Sequence, residues 1–397
     1  MNKVLFITTR NIFTTCGELR LIKNRANALY KFWGIVTDYI AVNNRKRINE
    51  SNEPLGIESK ISAIVFDKNI VSNILGFFKL RKEIENQIKT GHYKCVILSG
   101  IGTIFFVRYI KKLNHKVKII ADIHGAYEDT LEFSKGNILK KIWFKILYYI
   151  SRSGDLLSLS KVDALFVVSN SLEKYIKEKN PLIKNKKCYV VPCAIDDFSI
   201  KLEDIEKNRY YYRKKYGINN NELLFAYSGG ISPWQCIEES IDLFRLIKNN
   251  VGTDCKMLIL SHNINKISSL INSENDIITD KVSADEVESV ICSADFAFLL
   301  RKNSITNNVA FPNKFLEYVK SGLTIVTTPY IFDIADLIKS NDLGVLYEFT
   351  ESSRKNLYDY IKEKHDINLE KRTSLLKLTS FQSRLKEFVD DIFCGSI

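Results

Sequence analysis

The stretch Phe225-Ala226-Tyr227-Ser228-Gly229-Gly230-Ile231-Ser232-Pro233-Trp234-Gln235 decides how the chain is read. An apolar run of strand length ends in Ser-Gly-Gly, and a helical pattern over 237–249 begins a few residues later. Glycines at the end of a strand let backbone turn sharply and come close to a ligand. Outward from this point, short apolar runs and helical patterns alternate. Towards the C-terminus, strands are expected at 256–261, 277–279, 296–300, 324–327 and 343–347, with helices at 264–271, 285–292, 314–320 and 334–339. Towards the N-terminus the same alternation gives strands at 4–8, 35–42, 61–66, 94–99, 117–122, 164–169 and 189–192, separated by helical patterns. Strand–helix alternation implies parallel sheets covered on both faces, and a second run in series implies a second domain. The expected fold class is α/β, two doubly wound Rossmann-like domains facing across a cleft. The expected division is 1–197 and 198–375, with a terminal helix at about 376–397 packing back on the first domain. In such folds ligands bind beyond the carboxyl ends of the strands.

The 397 residues suit two domains, and 45% hydrophobic with 26% charged residues is a globular composition. The net charge of +12 suits anionic partners without choosing among them. The lysines and arginines are scattered, and no basic–aromatic module of the nucleic-acid-binding kind is present, so nucleic acid is not an expected partner. Eight cysteines (Cys16, Cys95, Cys188, Cys193, Cys236, Cys255, Cys292 and Cys394) include no CxxC pair, so reduced thiols are expected. No Asp-x-Asp triplet occurs, and no metal is expected. The opening apolar run is too short for a leader, and no stretch reaches membrane-spanning length without charges, so the expected location is cytoplasmic.

A second informative segment is Arg301-Lys302-Asn303-Ser304-Ile305-Thr306-Asn307-Asn308-Val309-Ala310-Phe311-Pro312-Asn313-Lys314-Phe315-Leu316-Glu317-Tyr318. It reads as a strand end, a polar loop, and a helix starting near Pro312. Lys314 then falls in the first turn, against the helix dipole, which is consistent with an anion nearby. Glu317, three residues on, can accept both hydroxyls of a ribose diol. An ordinary exposed Lys–Glu pair is the plain alternative.

Together these segments resemble the C-terminal domain of retaining GT-B glycosyltransferases of the family 4 type. The resemblance lies in the turn Ser228-Gly229-Gly230, in Pro312-Asn313-Lys314-Phe315-Leu316-Glu317-Tyr318, and in Gly322-Leu323-Thr324-Ile325-Val326. Val282 to Glu286 with Ala294-Asp295 adds to it, and the match runs over roughly 223–346. The resemblance implies that Ser228, Gly229 and Gly230 approach a donor pyrophosphate, that Arg301 and Lys314 neutralise it, and that Glu317 holds the ribose. Pro312 and Asn313 open the same helix. The family often carries an acid eight positions before Glu317, where this chain has Val309, and Asn308 beside it is the substitute. The family also carries cations after the glycine turn, where this chain has none before Cys236.

In the first half, Asp122-Ile123-His124-Gly125 ends a strand, and similar proteins place a His-Gly there near the donor sugar. The imidazole suits charge stabilisation or orientation of an acceptor hydroxyl. Gly17, Asp122 and Glu128 are the acceptor-side candidates. The segment Lys140-Lys141-Ile142-Trp143-Phe144-Lys145-Ile146-Leu147-Tyr148-Tyr149 is basic, aromatic and helical in pattern. It suits either an anionic membrane surface or, more simply, a buried helix with snorkelling lysines. The expected function is sugar transfer from a nucleoside diphosphate sugar to a glycan or lipid-linked acceptor, with retention, in surface polysaccharide assembly at the inner face of the membrane. A sugar-nucleotide epimerase and an inactive transferase-like partner subunit are the alternatives.

Overall fold

The computed structural model describes residues 2–11, 17–43, 59–65, 70–100, 103–132, 138–195, 200–252, 254–271, 274–363 and 367–395. The chain forms two compact units, Met1–Asp196 with Phe381–Ile397, and Asp197–Ser380.

The first unit holds seven strands: β1 (Lys3–Asn11), β2 (Val36–Asn43), β3 (Ile61–Val65), β4 (Cys95–Ser99), β5 (Lys118–Ile123), β6 (Ala164–Val167) and β7 (Lys187–Val190). Their order is β3-β2-β1-β4-β5-β6-β7, with every pair parallel. Leu5 stands opposite Asp38 on one side and Val96 on the other. Val4 to Ile7 and Cys95 to Ser99 are buried throughout, as a sheet covered on both faces requires. The helix Phe381–Val389 closes this unit. Its Phe388 ring meets Phe166 at 4.9 Å and Tyr189 at 5.6 Å, and the Tyr189 hydroxyl donates to Asp391 at 2.7 Å.

The second unit holds β8 (Leu223–Ser228), β9 (Cys255–Leu260), β10 (Ile277–Asp280), β11 (Phe296–Leu299), β12 (Thr324–Thr327) and β13 (Gly344–Leu346), in the order β10-β9-β8-β11-β12-β13 and again all parallel. Phe225 stacks on Phe296 at 5.0 Å and on Phe298 at 5.4 Å, joining β8 to β11. Two cations of the helix Leu202–Lys215 are structural. Arg209 and Arg213 donate to the two oxygens of Asp295 at 2.5 and 2.7 Å, fixing the start of β11.

Strand order reverses between β1 and β4 in the first unit and between β8 and β11 in the second. At such a switch point the flanking helices part and leave a crevice at the carboxyl ends. The Gly229–Gly230 turn follows β8 and Arg301 follows β11, so the second crevice collects the residues singled out above. Among the described residues, no helix is long and apolar enough to cross a membrane, and no group of three or more His, Cys, Asp or Glu side chains is placed to hold a metal ion.

Candidate active site

The site of the second unit is built on the end of β8. Gly229 has φ +144°, and a Cβ on it would stand 2.1 Å from Lys314 Nζ and 2.8 Å from Gln235 Oε1. Only glycine serves here, because the backbone is left-handed and the lysine lies against it. The Ser228 N–H donates to the Tyr318 hydroxyl at 3.0 Å, which ties the turn to the helix Asn313–Lys320.

That helix starts at Asn313, with Pro312 at its N-cap and not in its first turn. No side chain caps it and its first turn holds no acid. The helix Ile237–Val251 differs. A short turn, Pro233–Gln235, separates it from Gly230, and Glu238 and Glu239 occupy its own first turn. The start that can still receive an anion is therefore that of Asn313–Lys320.

Lys314 Nζ donates to Gln235 Oε1 at 2.9 Å and lies 4.5 Å from the centroid of the Tyr227 ring. Burial, reinforced by the Arg301 guanidinium and opposed by Glu317, holds the Lys314 ammonium well below its ordinary value. Arg301 is buried. Its Nη1 donates to Leu300 O at 2.7 Å and to Gln235 O at 3.4 Å, and burial lowers it too. Among the described residues neither cation has a carboxylate in ion-pair contact. Two partly dehydrated cations with no carboxylate in direct contact are an arrangement that suits an anion.

Glu317 is half-buried, one turn after Lys314. Asn308 ends a short helix, Ile305–Asn308, in the stretch that the sequence suggests is a loop. Its amide meets that of Asn303 at 3.2 Å, and Val309 next to it is buried.

In the first unit, Asp122 and His124 close β5. The His124 Nε2–H donates to Asp122 Oδ2 at 2.8 Å, with Ser99 Oγ 3.3 Å from the same nitrogen. Arg25 Nη1 donates to Asp122 Oδ1 at 2.7 Å, and Nη2 donates to Val191 O. Burial would raise the Asp122 carboxyl, but His124 and Arg25 outweigh it and bring it down to about 2. An anionic Asp122 fixes the imidazole by Nε2 and leaves Nδ1 for other chemistry. Glu128 accepts from the Tyr175 hydroxyl. Gly17 is exposed at the start of the helix Gly17–Trp33, and Cys16 lies outside the described residues.

The sequence reading missed Gln235 and Arg25. Gln235 stands where that reading registers only a missing cation. Arg25 is a charge inside the buried stripe Leu21, Ile22, Ala28 and Leu29, and such a charge signals a buried partner.

Residues 33–197 match the model of Glycosyltransferase Family 4, and residues 208–375 match that of Glycosyl transferases group 1. No curated protein matches the chain in sequence. Solved structures resemble it over nearly its full length. A glycosyltransferase from Rickettsia africae is 17% identical, with a TM-score of 0.66 over 100% of this chain and 99% of that one. The lipopolysaccharide outer core galactosyltransferase WaaB is 14% identical, with a TM-score of 0.65 over 99% of each. HepE of Anabaena, solved with UDP-glucose, is 11% identical, with a TM-score of 0.59 over 98% and 95%. At these identities the likeness is one of fold, and the fold is GT-B. With both matched domains in their order along the chain, the protein is a glycosyltransferase.

Proposed function

We propose that the chain moves a sugar from a nucleoside diphosphate sugar to a glycan or lipid-linked acceptor, with retention, in bacterial surface polysaccharide assembly. One observation carries this reading: Lys314 and Arg301, with no carboxylate in ion-pair contact among the described residues, lie beside the Gly229 turn at the switch point of the second sheet. The UDP-glucose in the Anabaena structure and the galactosyltransferase name of WaaB support the substrate classes.

In the reaction the bond from the anomeric carbon to the phosphate oxygen breaks and a bond to the acceptor oxygen forms on the same face. The hydroxyl proton passes to the departing phosphate. Lys314, Arg301 and the N–H groups that open the Asn313–Lys320 helix stabilise the diphosphate as its charge grows. Positive charge develops on the sugar, as in other glycosyl transfers. Glu317 accepts from the ribose hydroxyls. The first unit handles the acceptor, with His124 held by Asp122 and Arg25. The diphosphate charge is met by the chain's own cations, so turnover is expected to be unchanged in excess chelator.

The helix Ile138–Ser158 supports contact with an anionic membrane. Ile138, Ile142, Trp143, Ile146 and Tyr149 are exposed, beside exposed Lys141 and Lys145. A buried helix with snorkelling lysines does not describe this face. Apolar and aromatic side chains flanked by lysines fit the headgroup region of acidic lipid.

The test is transfer from radiolabelled nucleotide sugars to a lipid extract of glycan acceptors. Label is expected to move from one donor, and to stop moving with Lys314→Ala. Absence of transfer from every donor, with folded protein, contradicts the reading and favours an inactive partner subunit.

A further inference from the structure

Three donors meet at one oxygen in the second unit. Gln235 Oε1 accepts from Lys314 Nζ at 2.9 Å, from the Gly230 N–H at 3.1 Å, and from the Tyr227 hydroxyl at 3.4 Å. The last is a secondary contact, since the same hydroxyl donates to Gly230 O at 2.7 Å. An ammonium and a backbone N–H converging on one oxygen is the donor set that an anionic oxygen takes. Here the oxygen belongs to a neutral amide, which carries only partial charge and does not neutralise the Lys314 ammonium.

The backbone beneath this side chain is fixed. Gln235 O accepts from Arg301 Nη1 at 3.4 Å, and the next residue, Cys236, is buried with φ +52°. The side chain itself is half-buried and reaches the site through rotatable bonds. It can leave without disturbing the turn.

We infer that Gln235 is a displaceable stand-in for a phosphate oxygen of the donor, holding Lys314 and the Gly230 N–H until the nucleoside diphosphate takes them over. The inference rests on the reading of this turn as the donor site. Two consequences follow. Donor binding bears the loss of the internal hydrogen bonds, so affinity is held down. The residue at 235 then sets that affinity, although it is not itself a cation.

Calorimetric titration of the full chain with UDP, GDP, CDP and ADP separates the possibilities. Gln235→Met keeps the shape and removes the acceptor. It should bind the preferred nucleotide about 5- to 10-fold more tightly than the unaltered chain, the size expected for releasing one or two hydrogen bonds. Gln235→Glu would pair internally with Lys314 and should bind at least about 10-fold more weakly. Lys314→Ala should lose binding. Thermal unfolding of each variant confirms that it is folded. If Gln235→Met binds as the unaltered chain does, or more weakly, while Lys314→Ala loses binding, the stand-in role is overturned and the donor site stands. If neither the unaltered chain nor Gln235→Met binds any of the four nucleotides, both fall.

Discussion

Gly229 carries two constraints at once, a left-handed backbone and a lysine 2.1 Å from where a Cβ would be. The lysine end can move, but the backbone strain remains. Gly229→Ala is expected to cost about 1–2 kcal/mol in denaturant unfolding and to lose nucleotide affinity, because Lys314 must shift. Asp122 gives a prediction in pH. Its carboxyl is held at about 2 in the fold, below the ordinary ~3.9 of the unfolded chain. The stabilisation is therefore complete above about pH 4 and is lost as the pH falls through 2, amounting to roughly 2 kcal/mol. Asp122→Asn should be less stable at neutral pH, since Arg25 loses its counter-charge, and should lack that acid-sensitive component. Denaturant unfolding at pH 2, 4 and 7 checks both statements. Glycines, lysines and acids at strand ends are legible in the sequence because their chemistry is unusual where they stand. Gln235 was not legible, because a neutral amide in a turn announces nothing until its oxygen is seen between two donors.

Among the helices, Asn313–Lys320 is held from its C-terminal half. Tyr318 meets the β8 turn, and Arg372, buried in the helix Leu369–Thr379, donates to Val319 O at 3.1 Å and to Leu323 O at 2.9 Å. These bonds occupy carbonyls at and just beyond the helix end, and the charge faces the negative end of the dipole. Arg372→Met should lower stability by about 2–3 kcal/mol and weaken nucleotide binding less than Lys314→Ala does, since it reaches the site only by loosening the helix. The helix Ile138–Ser158 predicts sedimentation with vesicles rich in acidic lipid, reduced by Trp143→Ser with Ile146→Ser and absent with neutral vesicles. Periodicity does not distinguish such a helix from a core helix, because a lipid-facing stripe and a core-facing stripe have the same spacing. The Ile305–Asn308 helix escapes the sequence for another reason. Four residues with one apolar side chain hold no period, and it is Ser304 that starts it, accepting from the Asn307 N–H at 3.3 Å.

Across the whole molecule, alternation of strands and helices makes two parallel sheets legible, but the strand order is not written in that pattern. The reversals at β1/β4 and β8/β11 follow from which strand each connection passes over, and they decide where the glycine turn and Arg301 meet. The chain returns to the first unit at Phe381. Phe388 is fully buried between Phe166 and Tyr189, and Phe388→Ala should cost the first unit about 3–5 kcal/mol in calorimetric unfolding. The melting-point shift caused by UDP, GDP, CDP and ADP, on the unaltered protein and on Lys314→Ala and Glu317→Ala, decides whether a nucleotide donor binds at the β8 turn. A ligand that binds only the folded state raises the melting point by mass action. One nucleotide is expected to raise it, and both substitutions to remove the effect. A rise that survives Lys314→Ala, or no rise with any nucleotide, would contradict a donor site at the β8 turn.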